Sequence, residues 1–177
     1  DTDIYDTARL FQGDKTGTQR SNLRFSLDDG VCVEFWLKKT AWQTSNKDTI
    51  NKTAIFDLWN GYSTSSAENG EYGRFLVSLT ASGDDGAGSG GNYPIGVHIG
   101  SGSTVWDLKV GASITTASLG TDWNHYALSI HSSSVDSSII SRFYLNGAFQ
   151  EQSSSGDIGN FNEVTGSLIA HLGALQT

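Results

Sequence analysis

The chain of 177 residues is long enough for one domain with a substantial core, and five Trp, six Tyr and eight Phe can fill it, which excludes a disordered tail. Eleven Lys and Arg stand against 19 Asp and Glu, a formal charge of −8, and Lys38-Lys39 is the sole adjacent basic pair; nucleic acid and anionic membrane are therefore poor partners, and no nucleic acid is expected. No apolar run is long enough to cross a bilayer, so no membrane insertion is expected.

Taken in chain order, short strand-like runs recur: Ala8–Gln12, Leu23–Leu27, Val31–Lys39, Thr53–Trp59, Arg74–Ala81, Ile95–Ile99, Thr104–Val110, Trp123–His131, Ile139–Leu145, Ala148–Gln152 and Ser167–Leu172. Turn-rich stretches separate them, among them Asp28-Asp29-Gly30, Gly61–Gly70 and Ser82–Asn92. No window carries a sustained helical apolar stripe between capping signals, and no repeat of constant period is visible. The pattern predicts an all-β, two-sheet antiparallel sandwich forming a single domain over 1–177. Within Val31–Leu37 the alternation puts Val31, Val33, Phe35 and Leu37 on one face, with Cys32, Glu34 and Trp36 on the other. Cys32 is the only cysteine, so no internal disulfide can form, and a small packed side chain is its expected role. Trp36 and Trp123 are expected in the core. With no Met in the chain, a processed product or a domain of a longer protein is expected.

The most specific stretch runs from Asp122 to Gln152. Here WNHYALSI leads into RFYLNG, and Asn146-Gly147 between alternating residues is a strong hairpin signal. This pattern resembles the signature of laminin-G-like domains, which are concanavalin A-like jelly rolls. Arg9–Gly13 with Leu23–Leu27 resembles their opening strand pair, Val33–Lys38 their strand with an apolar-x-aromatic-Trp core, and Leu168–Gly173 their penultimate strand. Their usual last strand has no counterpart here, which implies that the chain continues in its parent or that another subunit completes the edge. His125 falls where the family has a recurrent histidine that serves packing and hydrogen bonding.

Catalytic patterns are weak. A glycosidase needs two carboxylates across the scissile bond, but the acids do not alternate along any strand; Glu68 and Glu71 sit three apart in a polar loop. There is no G-x-S-x-G elbow, and His98, His125, His131 and His171 all fall in strand-like runs that suit structural roles. Gly86–Gly91 satisfies G-x-G-x-x-G, yet Asn92-Tyr93-Pro94 and a strand follow where a dinucleotide site needs a helix. No catalytic residue, and hence no enzyme, is expected.

Binding chemistry has better raw material. Laminin-G-like and related lectin sandwiches often bind Ca2+ through loop Asp and Asn oxygens. Asp84 and Asp85 are the best candidates here, followed by Asp28-Asp29, although Asp-Gly pairs also simply make turns. No cofactor is otherwise required. A sugar stacks its C–H face on an aromatic ring while polar neighbours bind its hydroxyls. Trp59, Asn60 and Tyr62 offer that combination at a strand end; Tyr93 and Trp106 are further candidates, and the competing reading places Trp59 and Trp106 in the core. The sequon Asn51-Lys52-Thr53 decides nothing. The resemblance implies a non-catalytic recognition module of an extracellular or virion-surface protein, with a glycan or cell-surface protein as partner. The alternative is a structural or decoration domain, as in a phage capsid or tail appendage, held by other subunits of the same assembly.

Overall fold

A computed structural model describes residues 30–39, 52–60, 72–80, 95–114, 116–133, 135–136, 138–156 and 169–173. Nine strands lie within them: β1 Val31–Leu37, β2 Lys52–Trp59, β3 Gly73–Thr80, β4 Ile95–Ser101, β5 Thr104–Val110, β6 Asn124–Ser132, β7 Ile139–Leu145, β8 Ala148–Ser154 and β9 Ile169–Leu172. These agree with the expected runs to within about two residues, the usual uncertainty of element ends. The first two expected strands, Ala8–Gln12 and Leu23–Leu27, lie outside the described residues.

The strands form two antiparallel sheets, one ordered β1-β6-β7-β8 and the other β5-β4-β3-β2-β9. Their apolar faces meet in one core, so the protein is a β-sandwich. The four-stranded sheet contributes Tyr126, Leu128, Ile130, Ile139 and Phe143. The five-stranded sheet contributes Leu58, Phe75, Val77, Val97, Ile99 and Trp106. Across the four-stranded sheet Phe35 stacks on Tyr126 with ring centroids 5.3 Å apart, and Tyr126 on Phe143 at 6.3 Å. Burial pushes the Tyr126 hydroxyl pKa up, so the ring enters the core neutral.

Helix is not entirely absent. A short α1, Thr116–Thr121, bridges β5 and β6. It places the fully buried Leu119 in the core, and the Lys39 amide donates to the Leu119 carbonyl at 2.9 Å. Six residues are too few to show a helical stripe, so tertiary burial decides this segment.

Two core assignments are corrected. Trp36 and Trp123 are each 65% exposed. Since Val31, Val33, Phe35 and Leu37 face inward, Trp36 must face outward with Cys32 and Glu34. Cys32 is likewise exposed rather than packed, and partial burial together with Glu34 raises its thiol pKa.

The expected hairpin is present. Leu145 pairs with Ala148, and Asn146 and Gly147 have φ of 51° and 78°, the left-handed pair that a two-residue turn requires. On the inner face of β7, the buried Ser141 hydroxyl has no hydrogen-bond partner among the described residues. Ser141→Ala should therefore raise stability by about 1 kcal/mol in urea unfolding, since it removes an unsatisfied polar group. A loss of similar size would mean that the hydroxyl is paired.

Candidate functional site

Each sheet has a second face, turned away from the core. On the five-stranded sheet that face carries a polar chain. Asp107 on β5 meets His98 on β4, Nδ1 to Oδ1 at 2.8 Å. A carboxylate only accepts, so Nδ1 carries a proton, and on the neutral ring Nε2 accepts from the Tyr72 hydroxyl at 2.7 Å. Tyr72 lies over Gly100, where any Cβ would overlap the tyrosine ring. Burial raises the Tyr72 pKa, so the phenol stays protonated.

Further along, Arg74 on β3 forks onto Asp57 on β2, Nε to Oδ1 at 2.9 Å and Nη2 to Oδ2 at 2.7 Å. The Asp57 side chain is 0% exposed, and its hydrogen bonds hold the Arg74 pKa above its ordinary value. Trp59 lies under the guanidinium, 4.9 Å from ring centroid to Cζ. His171 on β9 is the register partner of Asp57, and its buried Nδ1 has no hydrogen-bond partner among the described residues. These groups largely satisfy one another: the arginine is bound in a fork and the phenol keeps its proton, an arrangement that stabilises the sheet rather than activating a nucleophile.

The outer face of the four-stranded sheet differs. Register places Trp36 beside His125, with ring centroids 5.3 Å apart. The next row runs Glu34, Ala127, Tyr144 and Phe149, and Tyr144 meets Phe149 edge-on at 5.7 Å. The row after that runs Cys32, Ser129, Arg142 and Gln152. Phe149 is 56% exposed, and Trp123, just before β6, is as open as Trp36. Large exposed aromatics gathered on one face mark an interaction surface. Glu34 lies 3.6 Å from His125 Nε2, and Arg142 Nε donates to Gln152 at 2.9 Å, so polar groups separate the rings.

Three of the residues singled out from sequence, Trp59, Asn60 and Trp106, are among the described ones. Trp59 is half-buried beneath Arg74. Asn60 is buried, its Oδ1 accepting from the Gly73 amide at 3.1 Å while its own backbone amide donates to the Gly73 carbonyl. Trp106, at 9% exposure, belongs to the core. Tyr62, Tyr93, Asp84 and Asp85 lie outside the described residues, as do Glu68 and Glu71. Among the described residues no three His, Cys, Asp or Glu side chains are grouped to hold a metal, and no helix is long and apolar enough to cross a membrane.

No family model, curated protein or solved structure matches this chain. Any functional reading must therefore follow from its own residues. Sequence reasoning gave Trp36 to the core and His125 a packing role, and assigned no function to Tyr144 or Phe149; all four are detectable as the outward set of each alternating strand.

Proposed function

We propose that this chain is a laminin-G-like, concanavalin A-like jelly-roll module of an extracellular or virion-surface protein, and that it recognises a saccharide without catalysis. The observation that carries the reading is the outer face of β1, β6, β7 and β8, where Trp36, Tyr144 and Phe149 alternate with hydrogen-bonding side chains. Sugar rings stack on such aromatics through their C–H faces, and their hydroxyls bond to the polar groups between. Support for the fold family comes from the WNHYALSI and RFYLNG strands, which occupy adjacent positions as β6 and β7.

The test is a glycan array probed with the folded protein, with calcium and with chelator. Trp36→Ala is expected to weaken binding at least tenfold while changing stability by no more than about 0.5 kcal/mol, the usual range for a surface substitution. Calcium dependence would bring in Asp84 and Asp85. A blank array from folded protein would overturn the recognition reading in favour of a structural assembly domain.

A further inference from the structure

The aromatic face has a shape as well as a composition. β6 is central among β1, β6 and β7, and its outward residues after His125 are Ala127 and Ser129, both small and partly exposed. On one side stand Trp36, Glu34 and Cys32 from β1; on the other stand Tyr144, Arg142 and Ile140 from β7. Glu34 and Tyr144 thus flank Ala127, and Arg142 flanks Ser129 opposite the small Cys32. The result is a trough about 10 Å between its flanking strands and about 20 Å from His125 to His131, from the strand spacing and the rise per residue.

We propose that this trough takes an uncharged oligosaccharide laid along β6, with Ala127 and Ser129 as its floor and Trp36 and Tyr144 as its stacking walls. The inference rests on the recognition reading above and adds the ligand's charge class and path. Charge sets the class. Glu34 and Arg142 stand on opposite walls with opposite signs, and Arg142 is already bonded to Gln152. Along the described residues of the trough a polyanion would meet Glu34 as well as Arg142, and a polycation Arg142 as well as Glu34, so a chain of either single sign meets repulsion as well as attraction.

The polar groups also separate a glycan from a protein partner. An apolar protein surface pressed onto Trp36, Tyr144 and Phe149 would strip water from Glu34, His125 and Arg142 without replacing their hydrogen bonds, and leaving such groups unpaired is costly. Sugar hydroxyls both donate and accept, so one chain of rings can cover the aromatics and satisfy the polar groups between them.

The experiment uses the 177-residue chain on an array of neutral glucan, galactan, mannan and N-acetylglucosamine oligosaccharides beside sulfated and sialylated ones. Ala127→Ile fills the trough from a solvent-facing position with a β-branched residue suited to a strand. Val105→Ala, an exposed position on the five-stranded sheet, is the control. The expected result is binding to neutral glycans that falls at least tenfold in Ala127→Ile, is unchanged in Val105→Ala, and varies little with salt. Neutral binding that survives Ala127→Ile would overturn the trough while leaving glycan recognition in place. Preference for sulfated or sialylated glycans would overturn the charge class alone, and a blank from folded protein would remove both readings. Circular dichroism of Ala127→Ile checks its fold; should it unfold, Ser129→Ile applies the same test one step along the floor.

Discussion

Arg74→Met should cost this protein about 3–5 kcal/mol, because it leaves the Asp57 carboxylate buried with its fork partner removed. Against a total stability of about 5–15 kcal/mol for a domain, that loss is severe. Asp57 has no exposed surface through which water could replace the guanidinium. The double variant Asp57→Asn with Arg74→Met should recover a measurable part of the loss, since a neutral amide is cheaper to bury than a carboxylate. Urea unfolding of the two single variants and the double variant measures this. A cost below about 1 kcal/mol for Arg74→Met would show that the pair is solvated rather than buried.

Asn146→Ala should cost about 2–3 kcal/mol, from two separate causes. The first is backbone: Asn146 has φ of 51°, which alanine adopts only at a penalty. The second is the side chain. Asn146 Oδ1 accepts from the His125 amide at 2.9 Å, and Nδ2 donates to Asn124 Oδ1 at 2.8 Å, tying the β7–β8 turn to the start of β6. Asn146→Gly separates them, because glycine keeps the left-handed backbone and loses only the hydrogen bonds. It should fall between wild type and Asn146→Ala in thermal or urea unfolding. Equal losses in the two variants would remove the backbone share.

Much of the sandwich was legible because a strand that is half-buried must alternate. Val31–Leu37 shows this directly: four apolar residues at odd positions define an inner face, and Trp36 is outward by parity alone. Expecting Trp36 in the core gave the usual burial of tryptophan more weight than its place in the strand. The Asn146-Gly147 hairpin was legible for a different reason, since few residue pairs accept two left-handed conformations in a row. The polar chain was harder to see. His98 and Asp107 become cross-strand partners only once the turn between Ser101 and Thr104 is placed. Tyr72 and His98 are 26 residues apart, and nothing local in either segment announces their hydrogen bond. The outer aromatic face was hidden similarly, because its members come from four strands whose adjacency is set by sheet order.

β6 serves two environments at once. Tyr126, Leu128 and Ile130 are committed to the interior, while His125, Ala127, Ser129 and His131 alternate with them outside. A slip of one residue in this strand would exchange the two sets, so the register that protects the interior also holds the outer residues in place. Within that register the outer positions are free to change. The chemistry of this face can be rewritten at every second residue of a single strand, with the architecture beneath left as it is.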